Sequence, residues 1–287
     1  MVSFPTLQTF EPLSQYLCSK CGSVLGETYI QIEISAVVED CPKCGATLAD
    51  TLRRQQATIE PKLSLPKIQT AYDLMKFRFD ITKIDSFLHL GSAGSLCISG
   101  YKANLLLTRL CVRALLPTKY GGLDTPYVVV VDAGNKSDVY QTVNFARQYG
   151  MNFENILNRI IVSRTFTIHQ LKSLLSRELP RVIRQYQAGV IVIPGLLDLF
   201  DDPNIKQKEA KWVISRIMKS LDDASIKSLV ITSVQEGKYA KLIVHNSSTR
   251  IILTNAKFGK LGAELYNDGR KANITLTERE LKTVPRK

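Results

Sequence analysis

Four of the six cysteines form two matched pairs, Cys18 with Cys21 and Cys41 with Cys44, and two residues separate the members of each pair. Nineteen residues lie between the pairs, and a glycine follows each pair. Thiolates at this spacing can reach one tetrahedral zinc ion, and the glycine permits the tight turn that each pair needs. Residues 29–34 alternate apolar and polar residues, which predicts a β-strand between the pairs. We therefore predict a zinc ribbon with all four cysteines as ligands.

Two other chemistries use paired cysteines, namely a thioredoxin-like redox pair and structural disulfides. The presence of two matched pairs disfavours the first, and the lack of a secretory signal at the N-terminus disfavours the second. Cys97 and Cys111 lie within apolar strings and are predicted to be buried core residues. His89, His169 and His245 have no nucleophile or acid at a recognisable spacing, so we predict structural roles for them.

The chain is basic, with 38 Lys and Arg against 26 Asp and Glu in 287 residues, a net charge of +12. Residues 1–56 contain four basic and six acidic residues, so the rest of the chain carries +14. This charge favours polyanions, and we predict weak DNA binding without sequence preference by the region after the cysteine pairs. A generally basic proteome is the alternative explanation. The predicted DNA-binding residues are Lys206, Lys208, Lys211 and Arg216, for which a solvated helix face is the alternative.

The composition is that of a globular protein, with 45% hydrophobic and 22% charged residues. No apolar run reaches the roughly 18 residues that span a bilayer, and we expect a cytoplasmic protein without membrane contact. Residues 12–50 are assigned to the zinc ribbon and residues 67–287 to the core. Residues 51–66 contain two prolines and no clear period, which indicates a linker.

Strand-like and helix-like patterns alternate after the linker. Predicted strands lie at 96–99, 127–132, 159–163, 189–193 and 228–232, and predicted helices lie at 103–116, 139–149, 168–187 and 205–221. Continuous apolar strands separated by helices indicate a mostly parallel sheet with helices on both faces. Pro180 should kink or divide the third helix. Trp212 is expected to lie in the core, and a platform that stacks on nucleic-acid bases is the alternative.

Four further apolar strings follow one another with short gaps. They lie at 241–245, 250–253, 263–266 and 273–276. We interpret all four as antiparallel strands that extend the sheet at one edge.

The order of these strings resembles the RecA-type ATPase core, specifically its archaeal RadA and KaiC-like branch. Residues 80–98 look like the family's approach to its first core strand, and residues 104–117 look like its phosphate-loop helix. Residues 159–171 look like the segment after its third strand, and residues 245–253 look like a late strand with a Ser-Thr-Arg string. The resemblance implies a RecA-like α/β fold behind the zinc ribbon.

The phosphate loop departs from the family's pattern. A working loop reads G-x-x-x-x-G-K-[ST], in which the spacer wraps phosphate, the lysine neutralises it and the hydroxyl holds Mg²⁺. Here Gly100 and Lys102 are kept, the spacer is missing, and Ala103 stands where the hydroxyl is needed. A second alignment puts Asn104 at the position of the hydroxyl residue, but Lys102 then no longer stands at the position of the lysine. Gly100, Lys102, Asn104 and the retained Asp132 are therefore the candidate residues of a degenerate nucleotide site.

Two carboxylates of the family are also replaced. Pro194 follows the strand that should end in the Mg²⁺-organising aspartate, and Gly134 stands where an acidic residue positions water. Gln235, which the family would use after its fifth strand, is out of phase by one residue. Phosphoryl transfer depends on positioning and electrostatics, so we expect no hydrolysis. Nucleotide binding without hydrolysis, through Lys102 and the start of its helix, stays open.

These features favour a catalytically degenerate RadA-like paralogue that acts as a DNA- or recombinase-binding accessory in recombination or repair. One alternative is a nucleotide-binding or active RecA-family ATPase with an unusual loop. A second is a zinc-ribbon scaffold that binds proteins and no nucleic acid. Zinc is the expected cofactor, and the sequence gives little support for ATP. DNA and a RadA-type recombinase are the expected partners, and oligomerisation is left open.

Overall fold

The structure, a computed structural model, describes part of the chain, namely residues 14–17, 24–28, 76–255 and 259–284. The chain divides into two compact units, Met1–Ile68 and Gln69–Lys287. No helix within the described residues is both long enough and apolar enough to cross a membrane.

The first unit contains a two-stranded antiparallel sheet. Strand β1 (Ser14–Leu17) pairs with β2 (Val24–Thr28), and Ser14 lies opposite Thr28. The four paired cysteines and the strand predicted at 29–34 lie outside the described residues. The zinc ribbon therefore stays a prediction.

The second unit is built on one eight-stranded sheet. Its strands are β3 (Gly94–Gly100), β4 (Val128–Asp132), β5 (Ile160–Arg164), β6 (Val190–Ile193), β7 (Leu229–Val234), β8 (Thr249–Asn255), β9 (Lys260–Asn267) and β10 (Arg270–Thr277). Their spatial order is β10-β9-β8-β3-β7-β6-β4-β5. The six strands from β8 to β5 run parallel, whereas β9 and β10 are antiparallel additions at one edge. This sheet confirms the predicted fold class, a RecA-like α/β architecture.

Nine α-helices surround the sheet among the described residues. They are α1 (Thr82–Asp85), α2 (Ala103–Ala114), α3 (Val139–Gln148), α4 (Phe153–Asn158), α5 (Ile168–Ser173), α6 (Leu179–Tyr186), α7 (Gln207–Ser225), α8 (Ala240–Asn246) and α9 (Glu278–Lys282). Side chains of Asp138, Asn152 and Thr167 cap α3, α4 and α5 by accepting a hydrogen bond from a backbone N–H of the first turn.

Both faces of the sheet are buried, which explains the uninterrupted apolar strands. In β4, Val128 and Val130 pack in one cluster with α2, whereas Val129 and Val131 pack in the opposite cluster with α5 and α7. Successive side chains of a strand point to opposite faces, so a strand covered on both sides needs apolar residues at every position. The molecule therefore has two helical layers, which we call the α2 layer and the α7 layer.

The helix predicted at 168–187 is divided as expected. A π-helical turn, Leu174–Glu178, joins α5 to α6, and Pro180 lies at the start of α6. Proline has no N–H to donate and its ring crowds the carbonyl four residues earlier. The wider turn just before Pro180 is where the chain accommodates it, which confirms the predicted interruption.

The string at 241–245 is a helix, so the predicted strand is wrong. Within α8, Ile243 and Val244 are buried while Lys241, Leu242 and His245 are exposed. A run of three apolar residues does not distinguish a strand from a short helix. Because α8 crosses over between β7 and β8, β8 runs parallel to β3. The predicted antiparallel order is therefore correct only for β9 and β10.

Trp212 was expected in the core, and this expectation is also wrong. Helix α7 buries Ala210, Val213, Ile214, Ile217 and Leu221, a stripe with helical spacing. Trp212 lies beside this stripe, and 49% of its surface is exposed.

A buried arginine fastens the C-terminal segment to α2. Arg109 is fully buried, and its guanidinium donates hydrogen bonds to the carbonyl oxygens of Glu280 at 2.6 Å, Thr283 at 3.2 Å and Asp80 at 2.8 Å. It also donates to the Tyr149 hydroxyl at 3.2 Å. A charge taken out of water needs such a full set of partners. The position of α9 beside α2 thus depends on this side chain.

Candidate functional site

A two-residue turn joins β3 to α2 at the place where the resemblance predicts a phosphate loop. Strand β3 ends at Gly100 and α2 begins at Ala103, so only Tyr101 and Lys102 lie between them. The N–H of Tyr101 donates to the carbonyl oxygen of Leu253 in β8 at 3.0 Å. Gly100 has φ of 88°, and a Cβ there would lie 2.1 Å from the same oxygen. The turn is therefore packed against β8 and contains no spacer that could wrap a phosphate.

Lys102 is paired with an acidic residue of the C-terminal helix. Its Nζ lies 2.7 Å from Oε1 of Glu278, the first residue of α9. Glu278 also pairs with Lys282 at 2.9 Å and accepts a hydrogen bond from the Tyr101 hydroxyl at 3.3 Å. The bonds from Lys102 and Lys282 lower the pKa of Glu278 to about 2, and the bond to Glu278 raises the pKa of Lys102. The predicted phosphate-binding charge is thus already neutralised.

Asn104 connects the start of α2 to the ends of two strands. Its Oδ1 accepts a hydrogen bond from the Ser233 hydroxyl at the end of β7. Ser233 Oγ in turn accepts from the N–H of Gly195, 2.9 Å away, just after β6. The oxygen of Asn104 is therefore engaged in a structural bridge between α2, β7 and β6.

Asp132 also has a structural set of partners. It is fully buried at the end of β4 and accepts hydrogen bonds from the N–H groups of Lys136 at 2.8 Å and Ser137 at 3.4 Å. Its Oδ2 lies 3.3 Å from Nε of Arg164. Among the described residues, no hydrogen bond or ion pair joins Asp132 to Gly100, Lys102 or Asn104. The four predicted residues thus serve different local contacts.

A carboxylate that the sequence did not single out occupies the space beside Gly134. A Cβ on Gly134 would lie 2.5 Å from Oδ2 of Asp198, and Asp198 lies 3.5 Å from Nζ of Lys136. Burial raises the pKa of Asp198, and Lys136 partly offsets this effect. Asp198 follows β6 by five residues, beyond the strand end where a metal-binding acid was sought. The described residues contain no group of three or more His, Cys, Asp or Glu that could hold a metal.

The remaining cysteines confirm their predicted place in the core. Cys97 and Cys111 are buried, and burial raises the pKa of their thiols to about 11 and about 12. Such thiols stay protonated and unreactive at neutral pH. Of the three histidines, His169 contacts a carboxylate, with Nε2 2.8 Å from Oε1 of Glu209.

The predicted DNA-binding residues lie along α7 but do not form one cluster. Lys206 precedes the helix as its N-cap residue, and Lys208, Lys211 and Arg216 are exposed on it. Ten residues separate Lys206 from Arg216, a rise of about 15 Å along a helix. Arg216 instead lines a hollow with residues of α5 and of the π-helical turn that follows it, which together we call the α5 segment.

Two helices enclose a hollow of about 450 Å³ on the surface of the α7 layer. The α5 segment and α7 line it with His169, Lys172, Ser173, Ser176, Arg177, Trp212, Arg216, Lys219, Ser220 and Asp223. We call this hollow the basic groove. Of this set, sequence reasoning assigned DNA binding to Arg216 and counted Lys219 in the same basic group. The signal available for the partner helix was the spacing of Lys172, Ser173, Ser176 and Arg177 on one helical face.

A protein-family model described as Rad51 matches residues 98–202, just over a third of the chain. The matched segment runs from β3 to the loop after β6 and so includes the two-residue turn, Asn104 and Asp132. It supports a RecA-superfamily core in this part of the second unit. No curated protein matches the chain.

Proposed function

We propose that this chain is a RadA-like member of the RecA superfamily that works without ATP hydrolysis, as a DNA- or recombinase-binding accessory in recombination or repair. The Rad51 match and the RecA-like sheet support the superfamily part of this proposal. The assignment to the archaeal RadA and KaiC-like branch rests on the sequence resemblance alone. The excess of positive charge outside residues 1–56 supports DNA as a partner.

The two-residue turn between β3 and α2 is the observation that carries the proposal. Phosphoryl transfer needs a backbone cradle, a free lysine and a held Mg²⁺ ion. The turn is too short for a cradle, and Lys102 is paired with Glu278. Pro194 follows β6, and the carboxylate of Asp132 is taken up by backbone N–H groups and Arg164. Each of these features argues against turnover independently.

Steady-state phosphate release tests the proposal. We expect the full chain to release phosphate from Mg²⁺-ATP at the background rate, with or without DNA, and Lys102→Ala to leave this rate unchanged. Phosphate release that depends on Lys102 would favour the active-ATPase alternative and overturn the proposal. A parallel DNA titration at two salt concentrations tests the DNA-binding part. Absence of salt-dependent binding would favour the protein-binding scaffold.

The cysteine pairs complete the proposal. We expect Cys18, Cys21, Cys41 and Cys44 to hold one zinc ion, which gives a short segment the stability that it cannot obtain from its own core. Because residues 1–56 are net acidic, we place DNA contact in the second unit and leave the first unit for protein contact.

A further inference from the structure

The basic groove lies on the opposite helical layer from the β3–α2 turn. Helix α2 belongs to one core cluster, and the buried residues of α5 and α7 belong to the other. A ligand in this groove would therefore be separated by the sheet from the place where the fold would bind a nucleotide.

Four cations line the groove. Lys172, Arg177, Arg216 and Lys219 line it against a single carboxylate, Asp223. Within the part of the chain that the structure describes, none of these four cations lies within 4.0 Å of a carboxylate oxygen. Like charges held close together repel each other, so the groove attracts a polyanion.

The positive surface continues onto α6 and onto the residues that follow α7. A second hollow shares Ser176, Ser220 and Asp223 with the basic groove and adds Arg184 and Lys227. From Trp212 to Asp223, α7 rises about 16 Å. The surface is therefore an elongated track rather than a pocket for one small anion.

Trp212 gives the groove an aromatic face. Its side chain is 49% exposed, the Nζ of Lys172 lies 4.7 Å from the ring centroid, and the Cζ of Arg216 lies 5.9 Å from it. Both cations lie over the ring as cation–π partners. A base that stacks on the indole would replace at least one of them, and the released cation would lie close to the adjoining phosphates. In a duplex the bases are stacked on each other and their faces are not accessible to the ring.

We propose that the basic groove binds single-stranded DNA, with Trp212 stacked on a base and Lys172, Arg177, Arg216 and Lys219 in contact with phosphates. This inference rests on the proposed function and gives its DNA-binding activity a place and a preferred strand form. Stacking is tolerant of base identity, which agrees with the expected lack of sequence preference.

Trp212 is the only tryptophan of the chain, so intrinsic tryptophan fluorescence reports on this groove alone. We expect oligothymidine to quench the fluorescence of the full chain in a saturable, salt-sensitive manner, and duplex DNA of equal length to quench it less. In anisotropy titrations with labelled oligothymidine, Trp212→Ala should weaken binding about tenfold, whereas Trp212→Phe keeps a ring and should bind nearly as well as the wild type.

A charge variant tests the phosphate-binding cations without touching the ring. Arg216→Gln with Lys219→Gln should reduce the salt slope by about 0.7 for each phosphate that the variant no longer neutralises. Lys119→Gln with Lys260→Gln removes the same charge from exposed positions outside the groove and is the matched control. Circular dichroism of each variant verifies that the fold is retained, which surface substitutions should not disturb.

The outcomes separate this inference from the proposed function. DNA could bind in a salt-dependent manner without a fluorescence change, and Trp212→Ala could bind it with unchanged affinity. This result would overturn DNA binding in the groove and leave the proposed function standing. Absence of any DNA binding would overturn both the groove and the DNA-binding part of the proposed function. Equal quenching by polyglutamate would identify an acidic-peptide site instead, and equal quenching by duplex and single strand would exclude base stacking.

Discussion

Lys102 in the β3–α2 turn and Arg216 in the basic groove are cations on opposite helical layers of the same core. They differ in whether a carboxylate lies beside them. Lys102 lies 2.7 Å from the carboxylate of Glu278, which is itself shared with Lys282. Arg216 and its neighbours Lys172 and Lys219 have no carboxylate within ion-pair distance among the described residues. Within the described ranges, Lys102 is thus engaged in an internal ion pair, whereas Arg216 and its two neighbours are not.

The difference shows that a familiar position in a fold does not by itself make a binding site. A cation contributes to ligand binding when the ligand replaces water, and contributes less when it must first displace a bonded carboxylate. This criterion is why our proposal places the polyanion on the α7 layer and not at the turn before α2.

The largest effect is expected in the first unit, where loss of zinc should leave the stability of both helical layers unchanged. Cys41→Ser should abolish the binding of one zinc per chain, because structural zinc contributes about 10–16 kcal/mol to folding its own segment. Metal analysis of the purified variant measures the loss, and the thermal unfolding of the core should be unchanged. Unaltered zinc content, or no zinc in the wild type, would contradict the ribbon assignment.

The α2 layer should respond strongly to loss of its buried charge. Arg109→Met should lower the free energy of unfolding by about 3–5 kcal/mol, because several carbonyl oxygens lose their donor. Urea unfolding measures the change. Arg181→Met, at a position whose side chain is 72% exposed, is the control and should change stability by less than about 0.5 kcal/mol. A loss below about 1 kcal/mol for Arg109→Met would show that this layer is not held together as described.

The lysines at the start of α7 should matter less to DNA binding than the groove itself. Replacing Lys206, Lys208 and Lys211 by Ala should weaken binding and reduce the salt slope by about one unit for each phosphate left without its cation. Deletion of residues 1–56, which carry −2, should leave the affinity equal or slightly higher. If the deletion abolished binding and the triple replacement had no effect, the zinc ribbon would be the nucleic-acid module.

The smallest effect is expected from the Lys102–Glu278 pair, because it is a single ion pair whose side chains are partly exposed, at 22% and 33%. The pKa of Glu278 is about 2 in the fold, whereas its ordinary value is 4.5. The pair therefore stabilises the fold at pH values above 4.5. This contribution is lost as the pH falls toward the lower value. Glu278→Gln should therefore show a shallower decline in melting temperature on acidification. An identical decline in both proteins would mean that the pair contributes nothing, and phosphate release gained by the variant would mean that Glu278 masks an ATPase.

Much of the fold was predictable because its patterns are local. The apolar runs of β4 and β6 predict strands covered on both faces, and Pro180 predicts an interrupted helix, and all three are present. Helix α8 was predicted as a strand because its Leu-Ile-Val run fits the period of a strand as well as that of a helix. The exposure of Trp212 was missed because one bulky residue does not reveal which face of an amphipathic helix it occupies.

The candidate sites were less predictable because they depend on contacts between distant segments. The sequence showed that Lys102 lies in a loop that lacks the spacer of a phosphate loop. It could not show that Lys102 pairs with Glu278, because Glu278 lies 176 residues away. The basic groove joins residues of α5 to residues of α7, and only the tertiary packing of these helices brings Lys172 to the ring of Trp212. Charge counting along α7 alone could find half of such a surface.

The turn at Gly100 also constrains how this chain could change over evolutionary time. Any side chain at Gly100 would collide with the carbonyl oxygen of Leu253, and an insertion before Lys102 would have to detach the turn from β8. Such an insertion would not by itself release Lys102 from Glu278, so an ATP-binding loop at this position would require changes in the turn, in β8 and in α9.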